Sequence, residues 1–273
     1  MRSGDNLHEA ALRCLRCDQP LEKCRWTEEV FRDFGSGRLQ PGSARAPVAV
    51  EVPGRPPRPI LVAPREVPRR GLGTVAGRAG LLHALAHIEF NAINLAWDAV
   101  YRFREMPVAF YTDWARVARE EAFHFQLLCG CLEQLGYAYG DFTAHNGLWE
   151  MACKTAHDPL VRMALVPRVL EARGLDVTPG ILERLRNSGD ARAVEALEII
   201  LHDEIGHVEI GSRWFRYLCQ RRGLAPEATF ARLLNEYMRG QVKQPFHYEA
   251  RRQAGFNERE MQYLEQMASS RRR

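Results

Sequence analysis

The chain has 273 residues, 46% of them hydrophobic and 26% charged, with a net charge of +4. That balance is the one found in soluble globular proteins with a substantial core in one or two domains. It excludes a membrane span, because no apolar run reaches 18 residues, and Met1 to Asn6 leads into no apolar stretch of the signal-peptide kind. Seven cysteines, an odd number, form no even disulfide framework, so a reducing, cytoplasmic setting is expected.

In chain order, short helices are expected at Leu7–Leu15 and Thr27–Phe34. Cys14, Cys17 and Cys24 lie here, but no fourth ligand stands at a zinc-site spacing, and the default reading is small core residues. Residues 36–75 carry Pro53, Pro56, Pro57, Pro59, Pro64 and Pro68, which forbid a long helix. The apolar residues between them predict an extended arm lying on the fold, with a short strand at Ile60–Val62. Gly71, Gly73 and Gly77 follow no strand, which excludes a nucleotide loop.

Helical periodicity then dominates. A first long helix is predicted from Gly77 to Arg104, with Leu82, Ala86, Ile93 and Val100 on one face and Glu89 on the same stripe. A second runs from Val108 to Leu135 and carries Glu121 and His124 inward. A connection over 136–158 includes a short helix near Leu148–Lys154. Asp158 and Pro159 form an N-cap and first-turn pair for a third helix, expected to kink at Pro167 and to stop at Gly174. A loop at Thr178–Gly180 follows. The fourth long helix, Ala191 to Arg221, carries Glu204 and His207 on the stripe of Leu197, Val208 and Phe215. Two further helices are expected at 225–239 and 257–268. The fold class is all-α, divided into an N-terminal arm (1–76), a helical bundle (77–222) and a C-terminal helical extension (223–273).

Two stretches organise this pattern, Glu121-Ala-Phe-His124 and Glu204-Ile-Gly-His207. Residues three apart share a helix face, so each pair can aim a carboxylate and an imidazole at one point. Thirty-two residues separate Glu89 from Glu121, and 33 separate Glu171 from Glu204. One glutamate followed by Glu-x-x-His, repeated, is the ligand set of carboxylate-bridged two-metal bundles. Ionised glutamates on buried stripes are costly to desolvate, and no lysine or arginine shares these stripes, so two divalent cations are expected to balance them. A carboxylate-rich set with two imidazoles suits iron or manganese better than zinc.

These residues give the chain a resemblance to the ferritin-like di-iron carboxylate superfamily over about residues 77–222. Ala86-His87-Ile88-Glu89 and Glu171-Ala172-Arg173-Gly174-Leu175-Asp176 resemble an uncharacterised bacterial branch of it. That branch is similar to the di-iron tRNA hydroxylases and, more distantly, to ubiquinone-ring hydroxylases. The resemblance implies a four-helix bundle with one long crossover. It also implies bridging roles for Glu121 and Glu204 and terminal roles for Glu89, Glu171, His124 and His207. By similarity to bacterial di-iron monooxygenases, Asp203 is expected to orient His124 and Glu120 to orient His207, with His87 as a further second-layer residue. Radical-storing relatives keep a tyrosine one turn past the first metal histidine; Leu128 stands there, which argues against a stable tyrosyl radical.

The implied activity is that of an oxygenase or oxidase using two iron ions (alternatively Mn/Fe or two Mn), dioxygen and an external electron donor to hydroxylate or oxidise an organic substrate. Metal handling or peroxide detoxification is the alternative. Basic clusters at Arg69-Arg70, Arg221-Arg222, Arg251-Arg252 and Arg271 to Arg273 leave RNA open as a substrate beside a small molecule, and the Gln244–Arg252 stretch is a candidate for anion contacts. A monomer or dimer is expected, with no membrane partner.

Overall fold

The computed structural model describes residues 6–42, 46–68 and 70–269. Among them the secondary structure is helical, without a strand, and no helix is long and apolar enough to cross a membrane. The chain divides into two compact units, Met1–Cys153 and Lys154–Arg273. These do not coincide with the expected partition at 76 and 222. The arm packs with the first long helix pair, and the C-terminal extension packs with the second.

The first unit is built on α3 (Val75–Arg102) and α4 (Val108–Gln134), joined by five residues and packed along their length. Thr74 caps α3, its hydroxyl accepting from the Gly77 amide at 3.0 Å. α3 is buried from Glu89 to Tyr101 without interruption, beyond what a single apolar stripe requires. The cover comes from α4 together with α1 (Leu7–Arg16), and α2 (Pro20–Gly35) lies against α4. The polar groups this burial traps are satisfied locally. The Lys23 ammonium donates to the Cys14 and Leu15 carbonyls at 3.0 and 3.2 Å and to the Asn94 side chain. The Trp97 indole donates to Thr27 at 2.9 Å, and Asp98 holds Arg102 at 2.7 Å. Cys14, Cys17 and Cys24 are buried thiols, as small core residues should be.

The Pro-rich arm is sewn to this unit. The Tyr101 hydroxyl meets the Val48 amide at 2.8 Å, the Gly54 amide donates to the Leu15 carbonyl at 2.8 Å, and the Trp149 indole donates to the Glu51 carbonyl at 2.8 Å. Gly54 passes so close to α1 that a Cβ would stand 2.2 Å from the Arg16 carbonyl carbon. The strand expected at Ile60–Val62 is only a single parallel bridge between Leu61 and Ala144. Neighbouring prolines withhold the amides that a ladder would need. The short helix of the connection is α5 (Gly147–Lys154).

The second unit begins with α6 (Pro159–Leu165), capped by the Asp158 carboxylate on the Leu160 amide at 2.8 Å. It passes into a π-helical turn, Val166–Glu171, and continues as α7 (Ala172–Asn187). Two expectations are corrected here. The helix does not stop at Gly174, and Thr178–Gly180 is helix interior, with Pro179 inside α7. The helix-breaking propensities of Gly174 and Pro179 are outweighed by burial of Leu175, Leu182 and Leu185, α7 being packed on α8 (Ala191–Arg221). The α8 bounds are those the sequence pattern predicts. α9 (Pro226–Tyr237), α10 (Tyr248–Gln253) and α11 (Glu258–Ser269) complete the unit.

Candidate metal centre

The first unit brings Glu89 of α3 together with Glu121 and His124 of α4. All three are buried, with 3%, 0% and 0% of their surface exposed, and their ligand atoms lie within 4.8 Å of one another. His124 Nδ1 is 3.4 Å from Glu89 Oε2 and 3.4 Å from Glu121 Oε2. At separations near 4 Å and an effective dielectric of 20, two like charges repel by about 4 kcal/mol, and one imidazolium can offset only one of them. Burial, followed by the neighbouring Glu121, pushes the Glu89 carboxyl well above the usual carboxylate range. Among the described residues Glu89 pairs with no lysine or arginine; its ion-pair partner is His124. Two carboxylates and an imidazole nitrogen converging in a dry interior fit a cation better than they fit one another.

In the second unit, Glu204 and His207 share the buried face of α8, with Glu204 Oε1 3.9 Å from His207 Nδ1. Both Glu-x-x-His motifs therefore turn Nδ1 toward their own carboxylate, which leaves Nε2 pointing elsewhere. Glu171 is half-buried and is the last residue of the π-helical turn. Pro167, expected to kink the helix, sits at the start of this turn, where its missing amide breaks the i to i−4 ladder. Gly211 makes room for it: a Cβ there would stand 2.3 Å from Pro167 Cγ. Close packing thus accounts for Gly211, whereas Gly206 is exposed and faces open space.

The flanking acids Glu120 and Asp203 are half-buried. His87 falls outside the place expected for it. Its Nδ1 meets the Tyr139 hydroxyl at 2.9 Å and its Nε2 meets the His145 carbonyl at 3.1 Å, so neither nitrogen turns to the acidic group. His83 accepts from the Gly140 amide at 2.9 Å, and His202 is exposed.

Part of the expected anion-binding stretch is engaged within the fold, while Arg252 and Tyr248 are exposed. Arg251 is buried and bound to Asp176 through Nε at 2.8 Å and Nη2 at 2.7 Å, and the His247 ring accepts from the Ala250 amide to cap α10. Arg222 is similarly spent on Asp158, at 2.7 and 2.8 Å. Arg69 and Arg271 to Arg273 lie outside the described residues.

Fold and site together define a class: an all-helical protein with a buried carboxylate–imidazole cluster able to hold metal. Residues 16–262 match the family described as Protein of unknown function (DUF455), and the chain belongs to that family. It is 46% identical over 261 residues to a Haemophilus influenzae protein described as an uncharacterized protein, a match covering 92% of this chain and 90% of the relative. No solved structure matches the chain. Neither match names the ferritin-like superfamily.

Proposed function

We propose that this chain is a two-iron oxygenase or oxidase that uses dioxygen to hydroxylate or oxidise an organic substrate. The observation that carries the reading is the Glu89–Glu121–His124 group: two carboxylates held in a dry interior against one imidazole, with the Glu89 proton affinity raised by burial and by the neighbouring Glu121. Repetition of the motif supplies the rest. Glu171, Glu204 and His207 repeat the order and spacing of Glu89, Glu121 and His124, and the Glu204–His207 pair repeats the local geometry. On this reading Glu121 and Glu204 bridge, and Glu89, Glu171, His124 and His207 each hold one ion. Four carboxylates and two neutral imidazoles balance two divalent cations, and the donor set suits iron, with manganese as the alternative.

When bound, the metal pair supplies the electrons and open coordination positions that dioxygen reduction needs. The chain's part is to hold and shield. The buried run of α3 excludes bulk water from Glu89, and each motif presents Nδ1 as the donor. The imidazole Nε2 atoms then need an acceptor to fix tautomer and ring angle, the role we give to Asp203 for His124 and to Glu120 for His207. Electron donor and substrate are external to the chain, with a small molecule and RNA both open.

Anaerobic loading with ferrous iron, then exposure to dioxygen under optical and Mössbauer observation, tests this. The expected result is two irons per chain oxidised to a magnetically coupled pair. Iron that binds singly, or oxidises without coupling, overturns it. Disproportionation of peroxide with no organic compound present would favour the detoxifying alternative instead.

A further inference from the structure

The π-helical turn that ends in Glu171 also contains a deeply buried cation. Arg168 is 1% exposed, and its guanidinium carbon lies 4.8, 4.2 and 4.5 Å from the ring centroids of Phe215, Phe230 and Phe256. Its Nη2 donates to Glu260 Oε1 at 2.6 Å and its Nε donates to Ser212 Oγ at 3.2 Å. The other Glu260 oxygen is already committed: Oε2 accepts from the Asn257 amide at 3.1 Å, while Asn257 Oδ1 accepts from the Glu260 amide at 3.0 Å, a reciprocal cap on α11. Beside Phe215, two adjacent residues of α8 meet the turn. Gly211 admits Pro167, and Ser212 holds Arg168.

A core selected for stability alone would do as well with an aliphatic side chain here, because a buried ion pair seldom gains more than its desolvation costs. What the pair does supply is geometric specification. A π-turn holds its i to i+5 register only where tertiary contacts impose it. The Arg168 planar fork ties that register at once to α8, α9 and α11.

From this geometry we propose that Arg168 is a positioning residue. Caged by three phenylalanines and Glu260, it locks the Val166–Glu171 turn so that Glu171 is aimed as a metal ligand, and the C-terminal extension exists in part to build that cage. This rests on the two-metal reading above. Arg168 touches neither metal nor substrate; it acts through Glu171.

The test compares Arg168→Lys with Arg251→Lys, the second being a substitution in another buried arginine–carboxylate pair of the same unit. Two readouts are used on the full chain: ferrous-ion affinity by anaerobic chelator competition, and amide hydrogen exchange over 166–171 in metal-free protein. Arg168→Lys should weaken one of the two ions at least tenfold, leave the other unchanged, and speed exchange in the turn at least tenfold. Glu171→Gln should weaken the same ion. Arg251→Lys should lower thermal stability without moving either ion. Should Arg168→Lys fail to fold, Glu260→Gln, which keeps shape and one hydrogen bond, should shift the same ion in the same direction by about threefold. Wild-type affinity and exchange in the Arg168 or Glu260 variant, or equal ion loss in Arg251→Lys, overturns the inference while leaving the two-metal reading intact. A wild-type chain that takes up no ferrous iron overturns both, and does so before any variant is made.

Discussion

Glu89 and Glu171 occupy equivalent places in the sequence repeat, yet the chain delivers them by opposite means. Glu89 sits midway along an unbroken helix of 28 residues whose neighbours bury it on all sides. Glu171 closes a six-residue π-turn, opened by a proline and fastened by side chains from three other elements. Glu89, a proposed ligand, is fixed by helical periodicity, and a rigid rod needs no help to aim it. Glu171, its proposed counterpart, depends on tertiary contacts, so on the proposal above its position can be tuned or lost without unfolding the helices on either side. An irregular turn beside a metal ligand is a common place to find adjustable geometry.

The comparison can be broken most sharply at the shared ligands. Glu121→Ala should abolish binding of both ions, because a bridge serves both, whereas Glu171→Gln should weaken only one; metal analysis after gel filtration distinguishes them. Next in size, Asp203→Ala should lower metal affinity by about 10- to 100-fold through loss of imidazole orientation, measured by chelator competition. Unchanged metal content there would remove Asp203 from the site.

A pH effect separates the rigid ligand from the clamped one. The Glu89 carboxyl is raised in the fold, so metal-free folded protein binds a proton that the unfolded chain has released. Stability of the metal-free chain should therefore fall as pH rises above the ordinary carboxylate value, and Glu89→Gln should flatten that decline in urea titrations. Smaller again, Gly211→Ala should cost about 1–3 kcal/mol by driving a methyl into Pro167, with no such penalty for Gly206→Ala, where space is open.

A further pH effect lies at Lys23, whose ammonium sits 5.1 Å from the Phe90 ring centroid. Burial lowers the Lys23 ammonium to about 8 from 10.5. Its desolvation cost is fully present below that pH, so stability should rise between about 8 and 10.5, and Lys23→Met should remove the slope.

How much of this was legible depends on sequence separation. The Glu-x-x-His motifs read directly because three residues on a helix fix a shared face, and α8 has the bounds that its stripe of Leu197, Val208 and Phe215 implies. Gly174 and Pro179 misled because their local preferences say stop, while the burial that overrides them belongs to α8, a different part of the chain. The arginine contacts left no local trace. Arg168 and Glu260 are 92 positions apart, and Arg251 and Asp176 are 75 apart, with nothing in either neighbourhood to announce the partner. Arginine clusters that look like a nucleic-acid surface in one dimension are in part neutralised in three.

The most direct test is anomalous diffraction from crystals of iron-loaded protein, recorded at the iron edge. Two peaks about 3.5–4 Å apart, bounded by Glu89, Glu121, His124, Glu171, Glu204 and His207, are predicted. A single peak, or iron bound away from these six side chains, would contradict the account.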